Sequence, residues 1–126
     1  MKKLFTLTAV IEVPTGLALL IAPALVVKLL LGEEISGAAI SLGRVAGIAL
    51  LALGVACWLA RGDTPHLAAR GLVLAMLIYN FGAVAIFLMA ALGAKEVGIA
   101  LWPAIILHGA MGSWGCAQLR HKPEQT

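Results

Sequence analysis

Residues 67–92 read LAARGLVLAMLIYNFGAVAIFLMAAL, and apart from Arg70 near the start nothing in the run carries a formal charge. An α-helix rises about 1.5 Å per residue, so roughly 20 apolar residues cross a hydrocarbon core about 30 Å thick. The run is long enough to span and too uniformly apolar for the surface of a soluble domain. Three more stretches share its character, at residues 4–31, 37–60 and 97–119. Spans of a β-barrel would be short and alternating, and none of these runs alternates. The expected fold is therefore all-α, a four-helix transmembrane bundle forming a single domain over residues 1–126.

Composition agrees with that reading. Of the 126 residues 62% are hydrophobic and only 12% charged, with a mean hydropathy of +1.04, which a soluble domain of this size could not bury. The net charge of +3 raises the question of nucleic acid, but the basic residues sit at the ends of the apolar runs and form no stripe. A lipid bilayer is the partner they fit, and no nucleic acid is expected. Cys57 and Cys116 lie far apart in apolar surroundings, without a CxxC or a histidine at ligand spacing. They read as small buried hydrophobes, with neither zinc nor dithiol chemistry indicated.

Lys2 and Lys3 before an apolar run, with Ala22-Pro23-Ala24 further on, have the outline of a secretory signal. Glu12 in the middle of that run argues against it, and a retained first helix is expected. The connections are short: Gly32-Glu33-Glu34, then Arg61-Gly62-Asp63-Thr64-Pro65, then Gly93-Ala94-Lys95-Glu96. In the second of them Thr64 suits an N-cap and Pro65 a first helical residue. Short loops make neighbouring helices antiparallel, which gives an up-down-up-down order.

Basic residues are retained on the cytoplasmic side during insertion. Lys2, Lys3, Arg61, Arg70, Arg120 and Lys122 fall on one side, and only Lys28 and Lys95 on the other. Both termini are thus expected in the cytoplasm, in a plasma or bacterial inner membrane. Trp58 and Trp114 lie towards the cytoplasmic ends of their runs and Trp102 towards the opposite end, as in an aromatic belt.

Ionisable residues at membrane depth are costly and mark functional sites. Three stand inside the runs, Glu12, Arg44 and His108, and the third run adds Tyr79 and Asn80. At about 1.5 Å per residue, Glu12 lies roughly 12 Å from the cytoplasmic edge, Tyr79 and Asn80 deeper, His108 near the midplane and Arg44 beyond it. Contact between Glu12 and Arg44 would need tilted helices and extended side chains. Two readings stand for that pair: a structural ion pair, since an unpaired buried charge is worse than a paired one, or a Glu12 carboxylate that exchanges protons or binds a cation. His108 reads either as a neutral imidazole bonded to a neighbouring helix or as a proton relay or ligand contact. Tyr79 and Asn80 read as interhelical glue, or as groups that orient the polar head of a lipophilic ligand. His66 and His121 belong to the cytoplasmic surface, so no haem or metal site is expected.

Pro14 and Pro103 are expected to interrupt their helices, freeing the carbonyls of Val10 and Ile99. Gly43 and Gly47 form a GxxxG, while Gly109, Ser113 and Ala117 form a second row of small residues, and both read as helix-packing surfaces. Whether they serve packing within the chain or a homo-oligomer is open.

The run Leu42-Gly43-Arg44-Val45-Ala46-Gly47-Ile48-Ala49-Leu50-Leu51-Ala52-Leu53-Gly54 resembles the Arg-and-Gly helix of DoxX-like and related small four-helix bacterial membrane families. That resemblance covers one span and the general architecture, and it implies fold more than activity. The chain is also similar in size and helix number to the small multidrug resistance transporters, whose essential first-helix glutamate Glu12 could match. It departs from them in lacking their aromatic third-helix pattern and in having Arg44. Three functions follow as expectations. The first is a bundle that binds a lipophilic or amphiphilic small molecule, alone or as an accessory subunit of a larger membrane complex, through Glu12, Arg44, Tyr79, Asn80 and His108. The second is a proton-coupled transporter using Glu12. The third is a membrane enzyme using Glu12 and His108 for acid-base chemistry on a lipid-like substrate.

Overall fold

The computed structural model describes residues 1–62 and 67–120. Thr64, Pro65, His66, His121 and Lys122, to which the sequence assigns a cap, a helix start and surface positions, lie outside the described residues. Among those described, every regular element is an α-helix: α1 (Lys2–Ile21), α2 (Pro23–Leu31), α3 (Ala38–Ala60), α4 (Leu67–Gly93) and α5 (Leu101–Arg120). Three of them, α1, α3 and α4, are long and apolar enough to cross a membrane. Their outward faces are apolar too, with Leu42, Leu59, Ile78, Ile86 and Leu92 all exposed, the pattern of a helix surrounded by lipid.

The expected continuous first run is two helices. Pro23 has no N–H to donate and pushes the residue before it out of helical geometry. Ala22 accordingly adopts φ −134° and ψ 61°, and Pro23 opens α2 as its first residue. Pro14, by contrast, is accommodated inside α1, and the Thr15 hydroxyl donates to the Ile11 carbonyl at 2.8 Å beside it. The last run also starts later than expected. Residues 94–100 form the connection, so Pro103 falls in the first turn of α5, where a missing N–H interrupts nothing.

Close backbone approach holds α1 against α3. A methyl on Gly16 would lie 2.6 Å from the Gly47 carbonyl oxygen, and one on Gly47 would lie 2.6 Å from that of Gly16. Gly43 meets Pro23 and Gly54 meets Val13 along the same seam. In lipid, where apolar burial adds no driving force between helices, such contact supplies dispersion that bulky residues would prevent. On α5 the equivalent positions are Gly112, packed on the Phe81 ring, and Gly115, packed on Leu77.

The two helix pairs, α1 with α3 and α4 with α5, meet most fully at one end. There Leu4, Phe5, Ala9, Cys57, Ala69, Val73, Met76 and Met111 form the core, and the Met1 ammonium donates to the Gln118 side chain. Towards the other end the pairs part, and α2 lies across the opening. Its last turn is clasped to the α4–α5 connection, with the Ala100 amide donating to the Leu29 carbonyl at 2.8 Å. Gly98 makes that possible because a side chain there would collide with the Leu29 backbone. Gly32, at φ 76°, ends α2 in the left-handed conformation that glycine adopts without strain.

Candidate functional site

Where the pairs separate, they frame a half-open cavity of about 530 Å3. Most of its wall is apolar, from Ile11, Leu19, Leu50, Phe87, Ala104 and Leu107, and α2 closes part of it with Val26, Leu29 and Leu30. Four polar side chains share the wall: Glu12 and Thr15 of α1, Tyr79 of α4 and His108 of α5. Asn80 stands behind them, buried on α4.

Helical spacing explains why these groups converge. On α1 the buried residues Leu4, Phe5, Thr8, Ala9, Glu12 and Gly16 recur at three- and four-residue intervals, so Glu12 belongs to the face that turns inward. On α4 the sequence Ala69, Val73, Met76, Asn80 does the same and carries Asn80 to the centre of the buried face. Tyr79 flanks it, one residue and roughly 100° away, on the side towards Glu12.

The hydrogen bonds fix the roles. The Asn80 amide donates to the Met76 carbonyl at 2.8 Å, so its NH2 faces that carbonyl and its oxygen faces His108. His108 Nδ1 lies 2.9 Å from that oxygen. An amide oxygen only accepts, hence Nδ1 carries the proton and, in a neutral imidazole, Nε2 keeps its lone pair. Tyr79 donates its hydroxyl to Glu12 Oε2 across 3.5 Å, a long contact. The His108 ring is held edge-on to Tyr79, with centroids 5.3 Å apart, and tilted against Phe87 at 5.9 Å.

Among the described residues the one buried side-chain polar atom without a partner is Thr8 Oγ1. Glu12 Oε1 and His108 Nε2 also have no hydrogen-bond partner among the described residues but are not fully buried, and both residues line the cavity. The arrangement is thus an apolar pocket with acceptor groups set into one wall.

Arg44 is not part of it. Its side chain is exposed, and the ion pair found among the described residues joins Lys28 to Glu34 at 2.7 Å. Instead of the expected Arg44 contact, Glu12 has Tyr79. The reason is rotational, since the face of α3 that meets α1 is centred on Gly43, Gly47, Leu50 and Gly54, and Arg44 lies roughly 100° from its centre. Gly43 and Gly47 pack within the chain. Gly109 meets nothing within 4 Å, and Ser113 is exposed with its hydroxyl donating to the Gly109 carbonyl at 2.8 Å. The tight face of α5 belongs to Gly112 and Gly115 instead. Phe87 was missed by the sequence reading, although it follows Asn80 by seven residues and so shares its face.

No protein-family model, curated protein or solved structure gives a significant match to the chain.

Proposed function

We propose that this chain is a four-span, up-down-up-down bundle of a plasma or inner membrane, both termini cytoplasmic, that holds a lipophilic or amphiphilic small molecule between its two helix pairs. It acts as a binding protein or as an accessory subunit of a membrane complex, with the architecture of the DoxX-like families. α5 is the fourth span. It is less apolar than the others because its His108, Gly112 and Gly115 face is turned onto α4 and the cavity. Basic residues gather at the end where α1 begins and α5 ends, which supports the orientation.

The observation that carries the binding function is the cavity itself. Its 530 Å3 lies within the range of ligand sites, roughly 300–1,000 Å3, and an apolar wall with a few placed polar groups is their usual composition.

A transporter reading has one observation in its favour, the buried Glu12 without a cation partner among the described residues. One set of variants separates the readings. For a binding protein, His108→Ala and Asn80→Ala weaken retention of a co-purifying lipophile while the chain stays folded. For a proton-coupled transporter, Glu12→Gln abolishes flux in proteoliposomes. If thermal stability alone changes, the polar cluster is structural and the binding function is lost.

A further inference from the structure

The hydrogen-bond inventory of the cavity wall is one-sided. Thr15 spends its hydroxyl proton on the Ile11 carbonyl, Tyr79 spends its own on Glu12, and His108 spends the Nδ1 proton on Asn80. Backbone donors add nothing where the wall is Pro14 and Pro103, and the Ala100 amide is used by Leu29 while the Ala104 amide is used by Ala100. With Glu12 ionised, what remains facing the cavity only accepts: Glu12 Oε1, His108 Nε2 and the lone pairs of the Tyr79 and Thr15 oxygens. A polar head entering this space forms hydrogen bonds only if it brings the protons. A head that merely accepts would leave the wall groups desolvated and unpaired, the more costly outcome.

Resting on the binding function argued above, we propose that the cavity selects lipophilic molecules whose polar head donates hydrogen bonds, a long-chain alcohol or a phenol, over molecules of equal size whose head can only accept. The apolar tail occupies the space between Leu19, Leu29, Leu50 and Leu107. The hydroxyl lies at the Glu12 and His108 wall, donating to one of them. Discrimination of this kind comes from wall groups that lose a partner, so it is set by the site and not by the partitioning of the ligand into lipid.

Dodecanol and its isomer undecyl methyl ether have the same formula and nearly the same shape, and differ in the one proton at issue. The full chain in nanodiscs is photolabelled with a diazirine-bearing dodecanol, and each unlabelled compound competes at equal mole fraction in the bilayer. The expected result is labelling of cavity residues on α4 and α5, with the alcohol competing about three- to tenfold better than the ether, as one net hydrogen bond allows. Glu12→Gln puts an amide donor into the wall and should draw the ratio towards one. His108→Phe, which removes the lone pair and keeps a ring, should move it the same way and covers the case in which the first variant does not fold. Labelling with equal competition overturns the selectivity and leaves the binding function standing. Absence of cavity labelling overturns both, and a ratio unchanged in both variants overturns the assignment to these residues.

Discussion

Replacing Gly47 by alanine tests the α1–α3 seam with one methyl group. That methyl would lie 2.6 Å from the Gly16 carbonyl oxygen and 2.8 Å from the Leu20 amide nitrogen, whereas non-bonded carbons settle at about 3.5 Å or beyond. The obstacles are backbone atoms, which no rotamer change can move. Relief requires α1 and α3 to separate, and that loosens the Gly43 contact with Pro23 and the Gly54 contact with Val13 on either side. Overpacking a tight interior costs typically 1–3 kcal/mol, and the backbone nature of this clash places it in the upper part of that range. Alanine in place of glycine inside a helix returns up to about 1 kcal/mol. The net expectation is a loss of about 1–2 kcal/mol. Gly109→Ala is the internal control, because its methyl meets nothing within 4 Å and only the propensity gain applies. The two variants should therefore differ by about 2 kcal/mol or more, at least tenfold in the folding equilibrium. Reversible unfolding in mixed micelles measures the difference. Gly47→Ala as stable as Gly109→Ala would refute the backbone seam.

Other expectations follow from single contacts. Asn80→Leu strands the His108 Nδ1 proton in an apolar setting and should cost about 1–3 kcal/mol of stability as well as bound lipophile, both read on the same purified sample. Gly98→Ala forces a side chain against the Leu29 backbone, so the Ala100 amide should lose protection in hydrogen exchange while amides of the core end keep theirs. The hydrogen bond and charge of Lys28 hold the Glu34 carboxyl below its usual range, so the small stabilisation this exposed pair gives is present above the unfolded carboxylate value and lost as pH falls through the folded one. In Lys28→Met, the Glu34 titration followed by NMR should move upward to the ordinary carboxylate range. A reporter fused after Thr126 should read as cytoplasmic, and an outward readout would reverse the orientation.

Much of the helical content was legible because apolar run length is a one-dimensional signal, and the α3 and α4 runs at residues 37–60 and 67–92 lie within a residue of the helices at both ends. The polar residues at membrane depth were equally visible, as isolated interruptions of those runs. What sequence did not carry was rotation. Arg44 and Glu12 looked like partners by charge and burial alone, yet the glycine seam turns Arg44 out of the contact. Gly109 and Ser113 looked like a packing row by spacing, and the same uncertainty of face hid Gly112 and Gly115. Proline positions misled differently. Pro14 is accommodated inside α1 and Pro23 is not, and the helix that follows the break docks onto residues 97–100, a long-range contact. The cavity itself is the space left when α2 folds across two separating pairs, and no local pattern encodes it.

The most direct test of a ligand-holding cavity is the native mass spectrum of the intact chain released from nanodiscs, beside Ala104→Phe. Ala104 lines the cavity one helical turn before His108, and the larger side chain fills the space without touching the hydrogen bonds of the cluster. One retained lipophilic adduct is expected on the native chain, and its loss from the variant, with helicity and thermal stability kept. A native chain that carries nothing, or an adduct retained equally when the cavity is filled, would contradict it.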